Sequence, residues 1–296
     1  MSQAAPAGLR NIARRQFLSG AAAAMALRPH PAKAAGPRLV SLSWAVSETL
    51  YAMGVAPVAA AETALYDSVV RQPETPASTV DIGLQGAPNL EYLAQLSPDI
   101  VIIQSWQDNL RPALERCADV ETVDIYTGAG DAFAHARDAA RKLGTIAAMP
   151  ARADGLVLQC DARLEMLRRR LRPGANTACL LVQMIDETNL TVFTAGSLFD
   201  GALTRLGLQN AWPGPPSLLW GGAVVGLEQL AEHPDATLIL IDSPGLAPDE
   251  TLTGSPLWQA LPPVRAGRSH RLASLWGFGG LPTALRFAEA LTNAIA

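Results

Sequence analysis

One order of residues occurs twice in this chain, and it restricts the fold more than any other feature. Val80–Ile103, VDIGLQGAPNLEYLAQLSPDIVII, reads as a Gly-containing loop, a short helix, a turn at Pro98-Asp99 and a buried strand. Asn89 stands where a helix N-cap is expected, and Leu90, Leu93, Ala94 and Ser97 recur at helical spacing. Ile100–Ile103 is an unbroken apolar run, as expected of a parallel strand covered on both faces. The order returns in Leu219–Asp242, LWGGAVVGLEQLAEHPDATLILID. There Leu227-Glu228-Gln229-Leu230-Ala231 corresponds to Leu90-Glu91-Tyr92-Leu93-Ala94, and Pro234-Asp235 to Pro98-Asp99. Leu238–Ile241 is the second buried strand. Helix–turn–strand units are common, and so short a match also arises by chance. The sharper alternative is two similar α/β lobes, with a ligand held where their loops meet.

Between the copies lies the longest helical pattern, about Ala151–Leu171. Leu156, Cys160, Leu164, Leu167 and Leu171 make its apolar stripe, and Arg172-Pro173-Gly174 ends it. At roughly 30 Å it exceeds its neighbours, and it falls midway along the pattern. The expected division is an N-terminal α/β lobe at 35–148, a connecting helix at 149–172 and a C-terminal α/β lobe at 173–296.

Residues 1–34 are expected to be an export signal. Arg14-Arg15-Gln16-Phe17-Leu18 has twin-arginine form, an Ala-rich core follows, and Ala32-Lys33-Ala34 fits a cleavage site. That predicts a periplasmic mature chain. The formal charge of −4 argues against a nucleic-acid partner. Cys117, Cys160 and Cys179 are odd in number and scattered, so buried thiols are expected, with one bridge at most.

Within the first lobe, Arg38–Ser43 reads as a strand and Trp44 as part of the loop after it. Ser47 is placed as the cap of a helix Glu48–Met53. Tyr66–Thr79 reads as a polar surface excursion, Thr122–Tyr126 as a strand and Asp131–Leu143 as an amphipathic helix. In the second lobe the expected strands are Ala178–Met184, Leu190–Phe193 and Arg271–Leu275. The expected helices are Leu198–Leu206, capped by Ser197, and Pro282–Ile295.

Catalytic signatures are missing. There is no G-x-S-x-G, phosphate loop, dinucleotide fingerprint or zinc spacing. The feature that stands out is a set of aromatic residues at loop ends: Trp44, Trp106, Trp220, Trp276 and Phe278. Such side chains suit a bulky ligand with apolar edges, although each also fits a core position.

At these residues the sequence resembles the periplasmic ferric-hydroxamate (ferrichrome-type) siderophore-binding proteins of ABC importers. The resemblance is carried by VDIGLQGAPNLEYL, TVFTAGSLFDGAL, NAW with LLWGGAVVGLEQLA, and SPLWQALPPVRAGRSHRLASLWGFGG. It implies two Rossmann-like lobes joined by a single rigid helix, the class III binding-protein fold. It implies a non-enzymatic, monomeric protein without a resident cofactor. Such a protein holds a ferric hydroxamate siderophore between the lobes and delivers it to an inner-membrane ABC permease. Trp220 and Trp276 match cleft tryptophans of the family, Phe278 falls beside the second, and Trp106 lies one place from an expected cleft tyrosine. Gln85 stands where the family commonly has an arginine that bonds the iron-bound oxygens. Glu228 matches an acidic permease-docking position; Asp108 and Glu115 are the nearest first-lobe counterparts. Arg265, Arg268 and Arg271 precede the Trp276 loop, where arginines lining the cleft mouth would alter the charge preference.

The alternatives are a binding protein for another bulky chelate, such as cobalamin or haem, and an enzyme of related fold. A haem binder would be expected to offer an axial Tyr or His, and a cluster enzyme several cysteines per lobe.

Overall fold

The computed structural model describes residues 36–127, 130–171, 178–186, 189–214, 220–243 and 253–296. The expected export signal and its cleavage site lie outside the described residues.

The first sheet is built from short strands, buried at its centre and more polar at its edges: β1 (Leu39–Ser41), β2 (Ala59–Ala60), β3 (Val80–Asp81), β6 (Ile100–Ile103) and β7 (Asp119–Thr122). They run parallel in the order β3-β2-β1-β6-β7. The chain moves outward from β1 to β3 and then returns to β1's other side with β6. Loops leaving β1 and β6 therefore diverge at the strands' carboxyl ends, where open α/β sheets bind ligands. Between β3 and β6 come a small hairpin, β4 (Gly83–Leu84) with β5 (Ala87–Pro88), and a helix at Leu90–Leu96. Asn89 caps that helix by accepting from the Tyr92 N–H at 2.9 Å.

The second sheet has the order β11-β9-β8-β12-β13, with β10 also on β8. Its strands are β8 (Ala178–Met184), β9 (Asn189–Phe193), β10 (Gln209–Asn210), β11 (Gly222–Gly226), β12 (Thr237–Ile241) and β13 (Ser269–Leu272). β8, β12, β13 and β10 pair in parallel, whereas β9 and β11 are antiparallel. The alternation in β11 leaves Val224 exposed and Val225 buried.

Between the sheets run the helices Trp44–Ala52 (α1), Thr63–Val69 (α2), Ala132–Ile146, Pro150–Arg170, Leu198–Arg205 and the closing helix Leu281–Ile295. Pro37–Ala296 forms one compact unit. Its largest apolar core takes residues from both sheets' inner faces and from these helices, among them Leu50, Ile102, Phe133, Leu164, Leu181, Phe199, Ile239 and Phe287. Smaller clusters cover the outer face of each sheet. Helix Pro150–Arg170 is about 30 Å long and packs against Ala132–Ile146, Leu198–Arg205 and the closing helix. Its buried stripe is Ala153, Val157, Cys160, Leu164 and Leu167; Leu156 and Leu171 sit half-buried at its margins. Cys117, Cys160 and Cys179 are free thiols, and burial pushes the latter two up to about 12.

Several elements differ from the sequence expectation. Trp44 is the first residue of α1 and is 6% exposed. The Ser47 N–H donates to the Ser43 carbonyl at 2.8 Å, so the helix starts one turn earlier than its polar residues suggest. Helix α1 is buried nearly all round, which hides the amphipathic signal. Tyr66–Thr79 is not wholly a surface excursion, because Tyr66 is buried in α2 and stacks edge-on against Tyr51 and Trp44. The strand expected at Thr122–Tyr126 ends at Thr122; only the Val123 N–H still bonds β6, at Ile103. The strand expected at Arg271–Leu275 is Ser269–Leu272. In the second repeat, Leu227–Glu232 is a 3₁₀ helix.

Candidate functional site

The loops after β1, β6 and β7 and the β4–β5 tip meet loops from the second half in one open depression of about 290 Å³. Ser43, Trp44, Ala45, Gln85, Gln104, Trp106 and Tyr126 line it from one side, and Trp220, Trp276 and Phe278 from the other. All six residues expected at a ligand site from sequence are therefore brought together. Sequence reasoning missed Ser43, Ala45, Gln104 and Tyr126. Tyr126 read only as the last residue of a strand, yet its place just beyond a sheet's carboxyl end was the available signal.

The aromatic rings touch in series. Trp44 meets Trp276 edge-on at 5.2 Å between centroids, and Trp276 meets Phe278 at 5.3 Å. Phe278 meets Trp220 at 5.4 Å, and Trp220 meets Trp106 at 6.1 Å. Such edge-to-face and tilted pairs are favourable beyond their buried area. Exposure rises along the series, from the buried Trp44 to Trp220 at 38% and Trp106 at 43%. The inner rings are fixed by the core, and the outer two present open faces.

Two glycines shape this surface. An added Cβ at Gly277 would stand 2.8 Å from the Phe193 ring, so the Trp276-Gly277-Phe278 turn requires a bare backbone there. Gly221 has φ +77, and a Cβ on it would meet Ser197 at 2.5 Å. Trp220 itself has φ +57, a left-handed conformation that costs a bulky residue about 1–3 kcal/mol. The ring is thus aimed by one strained residue followed by a glycine that takes its left-handed conformation without strain.

The polar floor is held by fully buried Gln107. Its Nε2 donates to the Leu42 and Gln85 carbonyls, each at 2.8 Å, and ties the hairpin tip to the end of β1. The Gln104 amide donates to Ser43 Oγ. Gln85 Oε1 accepts from the Trp44 N–H at 3.4 Å, and its Nε2 donates to Glu62 Oε2 at 3.0 Å. The partners fix the amide's orientation, since a backbone N–H only donates and a carboxylate only accepts. Tyr126 Oη donates to the Gly279 carbonyl at 2.7 Å, and burial raises its pKa well above the ordinary value, so the hydroxyl stays protonated.

No lining residue carries a charge. Arg265, Arg268 and Arg271 do not line the depression. Arg271 pairs with Asp242 at 2.7 Å, and Arg268 donates to the Pro234 carbonyl. Glu228 is exposed in the first turn of its 3₁₀ helix, and Glu91 is exposed at the matching place in the first repeat. Asp108 and Glu115 both pair with Arg111, at 2.7 and 3.6 Å.

Residues 39–274 match the family described as periplasmic binding protein. The iron(3+)-hydroxamate-binding protein FhuD of Escherichia coli (strain K12) is 30% identical over 298 residues, spanning 97% of this chain and 98% of the relative. The solved structure of the siderophore-binding protein FhuD from Vibrio cholerae, with Fe3+–Desferal bound, is 30% identical with a TM-score of 0.81. The match covers 88% of this chain and 98% of that one. The triscatecholate siderophore-binding protein FeuA of Bacillus subtilis shares the fold at 14% identity and a TM-score of 0.67, over 88% of this chain and 93% of that one.

Proposed function

The chain belongs to the periplasmic binding protein family, and on that premise we propose that it is the substrate-binding component of an ABC importer for ferric hydroxamate siderophores. The observation that carries this reading is the uncharged, aromatic lining shared by the two halves of the chain. A ferric tris-hydroxamate is neutral, because its hydroxamate anions balance the iron. It is hexadentate, so ligand oxygens fill the metal's positions and the protein supplies surface instead of metal ligands. Open faces of Trp106 and Trp220 suit its apolar edges. Moving a trianionic tris-catecholate into the same lining would be strongly unfavourable. The opening is small for a bulky chelate, which fits a shallow seat that leaves part of the cargo reachable for the permease.

Glu228 is assigned to permease docking because the family resemblance implies an acidic docking residue at that position, and its exposure is compatible with the role. The twin-arginine signal would deliver the folded chain to the periplasm, where it acts as a monomer. The test is a titration of the purified protein with Fe3+–desferal, followed by tryptophan fluorescence. Saturable one-to-one quenching is expected. A flat response into the millimolar range overturns the reading.

A further inference from the structure

One charge stands a single side chain behind the cleft lining. Glu62 Oε2 accepts from Gln85 Nε2 at 3.0 Å, and Gln85 faces the cleft. Glu62 is half-buried at the start of α2, with φ +51, and its N–H bonds the Gly83 carbonyl across the hairpin. None of the ion pairs among the described residues involves it. Neighbouring Asp81 offers a contrast. Burial pushes its pKa up, but donors from Gly83 and Thr63 outweigh that and hold it below the usual range. Asp81 is saturated with donors, whereas Glu62 holds one neutral side-chain bond.

A carboxylate accepts about four hydrogen bonds, and Glu62 takes one from a side chain and has no counter-ion among the described residues. A cation arriving with the cargo would supply that counter-charge. We propose that Glu62 is a specificity-determining residue, favouring ferric tris-hydroxamates that carry a pendant ammonium group over neutral or anionic complexes. The proposal rests on the ferric-hydroxamate reading above and adds a ligand feature to it. The chelate core would sit on the tryptophans, and the amine would reach past Gln85 to the carboxylate. The attraction acts across a partly wet rim, so it is screened by salt over a Debye length of about 10 Å at 0.1 M.

The test compares the ferric complex of desferal, whose chain ends in a free amine, with the same complex acetylated at that amine. Wild-type protein should bind the free-amine form about three- to tenfold more tightly at low ionic strength, with the gap narrowing as salt is added. In Glu62→Gln the ratio between the two complexes should fall to about one, and in Glu62→Asp it should persist in part. Equal binding of both complexes by the wild type overturns the proposal, without needing any variant to fold. A preference retained in Glu62→Gln also overturns it. Binding of neither complex by the wild type defeats the hydroxamate reading itself, which separates the two failures.

Discussion

Tyr126 Oη donates to the Gly279 carbonyl at 2.7 Å, across 153 residues of sequence. The bond fixes a ring from the first half of the chain against Trp220 and Phe278 of the second. Tyr126→Phe keeps that ring and deletes the bond. Removing it should cost about 1 kcal/mol of stability and change ferric-hydroxamate affinity less than about threefold. Tyr126→Ala should weaken binding about tenfold, because Trp220 and Phe278 lose their shared neighbour. Denaturant unfolding and fluorescence titration separate the two effects.

Trp220 and Trp276 should respond differently to truncation. Each stacking face is worth roughly 1–3 kcal/mol to a bound planar group, so Trp220→Ala and Trp276→Ala should each lose about tenfold in affinity. Trp220 is 38% exposed and strained, so its loss should leave stability almost unchanged. Trp276 packs against the main core, and its removal should also destabilise the fold, by about 3 kcal/mol. Thermal unfolding of both variants is the check; equal melting shifts would contradict the burial difference.

Gln85→Arg introduces a guanidinium into the cleft lining, where it would meet Glu62. The single variant should change hydroxamate affinity by less than about threefold, since a charged pair formed in place leaves little for the ligand. Gln85→Arg combined with Glu62→Gln should bind anionic ferric complexes more tightly than either single variant. A competition titration with carboxylate-type and hydroxamate complexes reads this out.

Glu48 is fully buried, and its carboxylate accepts from Arg286 at 2.6 Å, Thr283 at 2.7 Å and the Gly280 N–H at 2.7 Å. Breaking a buried pair from one side leaves the other partner uncompensated, at about 3–5 kcal/mol. Glu48→Gln should lower the denaturant midpoint accordingly with an unchanged slope. Because Gly280 ends the Trp276–Phe278 loop, affinity should fall as well.

Glu228 lies away from the cleft lining, so Glu228→Arg should leave siderophore titration curves in place. Uptake in cells should drop, and association with the permease should lose salt dependence. Full uptake by this variant would remove Glu228 from the docking surface.

Much of the frame was legible because it is local. Asn89 and Ser197 cap their helices as their neighbours require. The apolar run Ala178–Met184 is a strand with the expected bounds. The second repeat departs from the first because it is one residue shorter: Leu90 precedes Pro98 by eight positions and Leu227 precedes Pro234 by seven. A proline sooner after the start tightens the turn into a 3₁₀ helix. The tryptophans and Phe278 of the site were readable, since large rings at loop ends are conspicuous. Gln107, Glu62 and Tyr126 were not. Each owes its role to a partner far along the chain, such as Leu42 for Gln107 or Gly279 for Tyr126, and no periodicity encodes such a pairing. Trp44 was misplaced for a related reason, since a helix buried on every side lacks a polar face to reveal its period.

The partners of Glu48 all come from residues 280–286, more than 230 positions later. At a synthesis rate of about 5–20 residues per second, the ribosome supplies them roughly 10–50 s after Glu48 emerges. Until then α1 carries a carboxylate it cannot bury, and the shared core lacks the closing helix that completes it. Completion of this core therefore waits for the last stretch described: a copy truncated before Gly280 lacks each of these partners of Glu48 and stays unfinished.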